Sequence, residues 1–570
     1  MVNLSLLATD RKKSAMKYLK STRMLFVDTL ILFLLSANLA LAVEDADALH
    51  TKRIETLLLS LPGNILTSGI EVKGDTLVVR GLTAAFKQKA GEKTVRTVLS
   101  IDEISCMGVD FNAVDTPGLR RLAESVRVTN FAIRVDIFAT QGKAGASSVW
   151  QKTQMRSASI KGLYGDVAAL NKAMLDTDSP SESPPLSESD ETKRHQAMSK
   201  IDQPIRILLS LLSFKIASYS AEGLVLDMLD KSGTGIRTEI SATSAQDLSA
   251  LHLGPMKMEG IVLEVNGDKM LSFDSIGYES LQFEKLAKLV TRLLSLDFKK
   301  PETQADARTI LMGSLNDLSF SMEGLYLTGV HTLMPKWGDN SLRRMTGSLA
   351  ASMAEMKFDW NVDELKLDPA LYSSFGPEGK AMADRHGKSI KLSGDAHMTV
   401  LNQLGTGNAT LQVKASEPNL GNTEFSTKLT YSPSLSPLVL NTWEADLLLE
   451  DRGLGDFLVV RMLEKNQQTT DGKHIESTKN ANLIAGARAM LAANIRDGAL
   501  KKGGIEAKAA ETLAKLCANA GTARFHLSSN TPIGMERIRG STPLDLDTLG
   551  VQYSDSYREL SKQDGGPPDK

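Results

Sequence analysis

The chain has 570 residues, with 66 Lys and Arg against 68 Asp and Glu, a formal net charge of −2. This balance leaves no basic stripe for a nucleic-acid footprint, and the length suits several domains of roughly 100–200 residues each. Aromatics make up 5%, which disfavours base-stacking platforms and aromatic sugar clefts, and two cysteines, Cys106 and Cys517, are too few for a disulfide-stapled scaffold.

The N-terminus carries a targeting pattern. Arg11, Lys12, Lys13, Lys17, Lys20 and Arg23 precede an apolar segment from Thr29 to Leu35, followed by small residues and Ala40-Leu41-Ala42. A basic segment, a short apolar segment and a small-x-small site describe a secretory signal peptide over 1–42, cleaved after Ala42. The alternative is a retained anchor helix, which needs roughly 20 apolar residues; here the run is shorter and Asp28 lies at its edge. No later stretch of the sequence is long and apolar enough to span a membrane.

Elements follow in order. Leu49, Ile54, Leu57, Leu58 and Leu61 share helical spacing, and Pro62-Gly63 ends that helix. Strand signals come next in GIEVKGDTLVVRGL, RTVLSIDEISCMGVDF and VRVTNFAIRVDIF. Between the last two, DTPGLRRLAESV predicts a helix: Asp115 or Thr116 caps it, Pro117 suits its first turn, and Leu119, Leu122 and Val126 share a face. Residues 176–190 are almost all Ser, Pro, Asp and Glu and cannot bury enough apolar surface to offset the entropy of ordering. Strands resume beyond Ile201. LQFEKLAKLVTRLLSL reads as an amphipathic helix with a stripe at Leu286, Leu289, Val290, Leu293 and Leu294, and residues 389–431 alternate like a strand meander. Three helices follow between Gly453 and Gly521, then strands return at TARFHLSSNTPI. Ala485, Ala489, Ala492 and Ala493 permit close helix approach, either to a partner or within a small bundle.

One local pattern recurs: VVRGLTAAF, SAEGLVLDM, KMEGIVLEV and SMEGLYLTGV each place apolar residues three apart across a charge-glycine step. In a strand, residues on one face lie two apart, so the apolar face changes parity at every step. Glycine tolerates the backbone angles this requires. Gly81, Gly223, Gly260 and Gly324 are therefore expected at β-bulges or sharp strand bends, with the charge turned to solvent. A second echo, at an offset of 172, aligns Ile101, Asp102, Ile104, Val109 and Phe111 with Phe273, Asp274, Ile276, Leu281 and Phe283, which points to a duplicated unit of bent strand, second strand, loop and covering helix.

These readings divide the chain into a signal peptide (1–42), an N-terminal β-rich domain with helices (43–175), a disordered Ser/Pro/acidic linker (176–200), a second β-rich domain with helices (201–446), a helical hairpin or bundle insertion (447–520), closing strands (521–553) and a flexible tail (554–570). The fold class expected is α+β: long antiparallel, bent β-sheets of repeated strand units, with covering helices and a late helical insertion. An export signal, a long body of apolar-x-Gly-apolar strands and that insertion together resemble Gram-negative envelope proteins of the AsmA-like and YdgA-like (DUF945-type) kind, over most of Leu77 to Tyr553. AsmA-like proteins normally keep an N-terminal anchor helix, and the cleavable signal here departs from that. The resemblance implies an envelope role in lipid or outer-membrane homeostasis, and no site residue.

Catalytic motifs are absent. No Gly-x-Ser-x-Gly, His-Glu-x-x-His or Cys-x-x-Cys occurs, and the Gly-Lys-Ser after His386 has Met382 where a phosphate loop needs glycine. The eight histidines are scattered, His386 and His397 being the closest pair, and read as incidental. Glu222, Glu259 and Glu323 recur in register; glycosidic cleavage needs two carboxyls within about 5–10 Å, and solvated strand positions are the plainer reading. Met256, Met258, Met270 and Met322 suit either an adaptable apolar groove or ordinary packing. Cys106 and Cys517 pair only if their Cα atoms approach within roughly 7 Å; two separate buried thiols are the simpler reading. The sequence thus predicts no catalytic, cofactor or metal site. It predicts a non-enzymatic exported protein of the Gram-negative periplasm or envelope, acting as a scaffold or binding lipid or other apolar ligands, peripheral to the membrane at most. An exported hydrolase with an unrecognised site and a secreted factor acting on another cell are the alternatives.

Overall fold

The computed structural model describes residues 64–90, 93–111, 118–139, 149–166, 214–229, 233–249, 252–283, 319–334, 337–352, 354–374, 389–403, 405–432, 439–453, 455–456, 481–500, 503–534 and 550–560, with Thr51 and Val459 besides. The expected signal peptide, the 176–200 linker, the phosphate-loop-like stretch up to Lys388 and all but Thr51 of the helix ending at Pro62 lie outside them, as does the helix expected from Leu281 beyond Phe283; its first two residues, Leu281 and Gln282, form a strand instead. The fold is mostly antiparallel β-sheet with few helices, two of them in a late helical region. Among the described residues no helix is long and apolar enough to cross a membrane. The chain divides into two compact units, the first running to Met256 and the second holding most of the chain beyond it.

The first unit is a meander. Strands β1 (Asn64–Leu66) and β2 (Gly69–Lys73) both pair with β3 (Thr76–Ala90). From β3 each strand pairs antiparallel with the next, through β4 (Lys93–Met107), β5 (Arg120–Ala139), β6 (Val149–Gly165), β7 (Lys215–Leu229), β8 (Gly235–Ser249) and β9 (His252–Leu253). The segment expected as a helix before Val126 is instead the start of β5, so that expectation is corrected. Leu122, Glu124 and Val126 satisfy a period of two as well as Leu122 and Val126 satisfy a helical one. Pairing with β4 and β6 decides between them: Leu122 and Val126 are buried, and Leu119, the third residue of the supposed stripe, is exposed.

A line of parity changes crosses this sheet. Gly81, Asn130 and Gly223 adopt left-handed φ of 59°, 50° and 64° on alternate strands. Asp102 stands between the first two on β4, and Arg156 between the last two on β6. The register is the same on both sides of the line: Arg80 pairs with Glu103 and Leu82 with Ile101, while Thr129 pairs with Ser157 and Phe131 with Met155. No residue is extra at these points; neighbouring strands turn their faces over together. Buried side chains accordingly lie three apart across the line, at Val79 and Leu82 on β3 and at Ile101 and Ile104 on β4. They form one core with Leu77, Leu99, Leu122, Val126, Phe131 and Leu163. The side chain of Asn130 donates to the Asp102 carboxylate at 2.8 Å, tying the line across two strands. A second line runs six residues away on each strand, from 102 to 108, 130 to 124, 156 to 162 and 223 to 217, and ends at Asp247. Gly108, Gly162 and Asp247 are its left-handed members.

Gly223→Val is expected to destabilise the first unit by about 1–3 kcal/mol, because a β-branched residue resists left-handed φ. Its Cβ would also lie 3.1 Å from that of Arg156. Gly223→Asn should cost clearly less, since Asn130 occupies the same region on the same line. Urea denaturation of both variants checks this; equal and negligible shifts would mean that the strand relaxes freely at the line.

Next in the chain, β10 (Met256–Val265) turns into β11 (Asp268–Tyr278), whose residues fall mostly in the second unit, through Asn266-Gly267, both left-handed as a two-residue hairpin requires. Strand β13 (Ser319–Met334) pairs with β11 and with β12 (Ser280–Gln282). The meander continues through β14 (Gly338–Ser352), β15 (Glu355–Leu367), β16 (Ile390–Gln403), β17 (Thr406–Glu417), β18 (Gly421–Ser432) and β19 (Val439–Asp451). Helix α1 (Pro369–Ser373) follows β15, with Asp368 accepting the Ala370 N–H at its N-terminus. Helices α2 (Ala481–Leu500) and α3 (Gly504–Ala518) pack on each other, and α3 also lies against β20 (Gly521–Ser529) and β22 (Gln552–Glu559). Strand β20 pairs with β19 and β22, and β21 (Ile533–Gly534) also pairs with β19.

Gly260 and Gly324 take φ of 60° and 61° within β10 and β13. At Gly324 the β13–β14 register slips between Met322 and Leu325, so here one strand does carry an extra residue. A line like those of the first unit passes through Asp274, Gly329, Arg343 and Glu364, with Gly329 and Glu364 left-handed. Asp102 and Asp274, aligned by the sequence echo, thus each stand opposite a left-handed residue. Arg80, Glu222, Glu259 and Glu323, which precede the four expected glycines, are all exposed.

Candidate functional site

The sheet from β14 to β22 is sharply two-faced, and its register shows why. Opposed residues of paired strands share a face. One row runs Ser348, Asp359, His397, Gln412, Ser426, Asp446, His526, Ser554, one residue from each of eight successively paired strands and all polar. Its neighbour two residues along runs Thr346, Asn361, Asp395, Lys414, Glu424, Leu448, Arg524, Ser556, polar but for one leucine. On the other face, Leu349, Phe358, Met398 and Leu411 form one row, and Trp360, Ala396, Val413, Phe425, Leu447 and Phe525 the next. Phe358 and Trp360 stack at 5.9 Å between ring centroids.

The apolar face is not sealed. Among the described residues, no apolar side chain of β10–β15 or β17–β19 is fully buried, whereas Leu77, Ile101, Leu122 and Leu163 of the first unit are each 1% exposed. Val413 remains 37% exposed in the middle of the apolar face. The methionines fit this picture: Met256, Met258, Met270 and Met322 are all half-buried on β10, β11 and β13. This is an open apolar surface of adaptable side chains.

The polar face holds two cross-strand His–Asp pairs. The Nδ1 of His397 lies 2.7 Å from Asp359, and its Nε2 lies 3.2 Å from Asp395. The Nδ1 of His526 lies 2.8 Å from Asp446. Asp446, His526 and Ser554 stand side by side on β19, β20 and β22, in the order of a nucleophilic triad. The Ser554 hydroxyl, however, makes no hydrogen bond to the ring among the described contacts. Sequence reasoning missed both pairs, because each forms between strands and not within a motif. Glu222, Glu259 and Glu323 stay apart as solvated strand positions: Glu259 pairs with Lys257, and Glu323 accepts from Ser280 at 3.5 Å.

The late helices are anchored by charge. The Arg488 guanidinium on α2 is buried against Asp451 at 2.8 Å and reaches Asp456 at 2.6 Å. The alanine stripe expected for close approach contributes Ala492, which is 1% exposed. Both cysteines are free thiols, and burial pushes that of Cys106 up to about 12, which leaves it unreactive at neutral pH.

Set against known proteins, the chain matches no family model and no curated sequence.

Proposed function

We propose that this chain is a non-enzymatic protein of the Gram-negative envelope, exported to the periplasm, whose second unit binds lipid acyl chains along the half-open apolar face of its strands. The observation that carries the reading is the contrast between the two units. The first closes a core of fully buried side chains, while the second lays out rows such as Phe358, Met398 and Leu411 without burying them. An apolar surface of this kind marks an interaction site. Acyl chains suit it because they demand no hydrogen bonds and match a long, unbroken apolar strip. The N-terminal leader pattern and the envelope-protein resemblance support the compartment. In this reading the strands of the two units descend from a duplicated strand unit, and covering helices leave part of the strip open.

Purified from its native membrane fraction, the full chain should carry lipid detectable by mass spectrometry of the organic extract. Val413→Asp should fold normally, since the side chain is already exposed, yet carry clearly less lipid. A lipid-free protein that turns over an ester, glycoside or peptide substrate would overturn the proposal in favour of an exported hydrolase. Recovery in the cytoplasmic fraction with its leader intact would overturn the compartment.

A further inference from the structure

We propose that Glu444, Asp446 and His526 form a binding site for a divalent transition-metal ion on the polar face of the second unit's strands. Register builds the site. Glu444 and Asp446 are two apart on β19 and so share a face, and His526, 80 residues further along the chain, is set directly opposite Asp446 on β20. One ligand atom from each of the three residues lies within 4.8 Å of the others. An ion with bonds near 2 Å spans ligand atoms up to about 4 Å apart, so rotation of a carboxylate side chain suffices to bring all three onto one ion. An imidazole with two carboxylates suits Zn²⁺ and its first-row neighbours.

The histidine is prepared for this role. Its Nδ1 is held by Asp446 at 2.8 Å, and its other nitrogen has no partner among the described contacts. A carboxylate on one ring nitrogen fixes the orientation of the ring. The ion is met between ring and carboxylate, in place of the shared hydrogen, with the ring proton carried on the other nitrogen, so that Nδ1 and the Asp446 oxygen, 2.8 Å apart, both bind it. Asp446 and His526 open onto a hollow of about 540 Å³ lined also by Ser426 and Ser554, their partners on the neighbouring strands, whose oxygens or waters can complete the coordination. The competing cations are Lys428, 3.8 Å from Glu444 in an exposed pair, and Arg524, which lines the same hollow; exposed pairs are weak. His397 supplies the contrast: Asp359 and Asp395 stand on opposite edges of its ring, so no one ion gathers all three.

The test titrates the full chain, freed of metal with a chelator, with Zn²⁺ by calorimetry and with Co²⁺ by visible absorption. One saturable site is expected, accompanied by ligand-field bands for Co²⁺. His526→Ala and Glu444→Gln should each weaken it at least ~10-fold, while His397→Ala should leave it unchanged, all three variants retaining wild-type circular dichroism. Absence of a saturable site overturns the proposal. Equal weakening by His526→Ala and His397→Ala also overturns it, since that would show diffuse adsorption to surface histidines.

Discussion

Arg488→Ala is expected to lower the stability of the second unit by about 3–5 kcal/mol, the cost of leaving a buried charge without its partner. Arg488 and Asp451 each have a side chain only 7% exposed, and their contact is 2.8 Å. Burial alone would disfavour the charge on Arg488, but Asp451 and Asp456 outweigh it and raise its pKa above the ordinary arginine value. The arginine also donates to the Cys517 carbonyl at 3.4 Å, joining α2, α3 and the end of β19. Asp451 is committed elsewhere too, accepting the N–H groups of Gly453 at 2.9 Å and Gly455 at 3.0 Å. Arg488→Met should therefore rescue little: it restores volume but still strands the carboxylate. Denaturant titration followed by helical ellipticity, with hydrogen exchange on α2 as a local readout, checks both variants. A loss below about 1 kcal/mol for Arg488→Ala would place the guanidinium effectively in solvent.

The second large effect is a contrast between the units. Leu77→Ala should cost about 2–5 kcal/mol, because the side chain is closed in on every side and its removal leaves a cavity. Leu77 is 1% exposed and packs in the same core as Val79, Ile101 and Ile104. Leu447→Ala, on the open face of β19, should cost about 1 kcal/mol or less, since a half-exposed side chain has less transfer energy to lose and no cavity to leave. The two units need separate probes, because a chain with two cores need not unfold in one step. Equal costs at the two positions would show that the apolar strip is covered as tightly as the first core, and would remove the main support for ligand binding there.

Much of the fold could be read from the residues, for reasons that particular elements make plain. The meander from β16 to β18 alternates apolar and polar residues with glycine at its turns. Helices α2 and α3 keep helical spacing and are rich in alanine. Gly81, Gly223, Gly260 and Gly324 stood out because glycine is the residue most at ease with left-handed angles. Asn130 and Glu364 adopt the same angles and gave no such signal. The start of β5 misled because Leu122 and Val126, four apart, suit both periods, and a proline two residues into the segment resembles a helix start. Only pairing with neighbouring strands separates the two. The His–Asp pairs were invisible for a different reason: Asp446 and His526 meet through the register of two strands, which no local spacing encodes.

A long antiparallel meander has one characteristic weakness, which is that strands can slide past each other in steps of two and keep every side chain on its proper side. The paired lines through Gly81 and Gly108 remove that freedom from the first unit. After such a slide, a left-handed residue would sit beside a normally pleated neighbour, and the turnover of faces would fall at different heights on adjacent strands. The lines thus behave as detents, each hairpin having a single resting position. Insertions or deletions between them should accordingly be tolerated far less well than changes in the connecting turns.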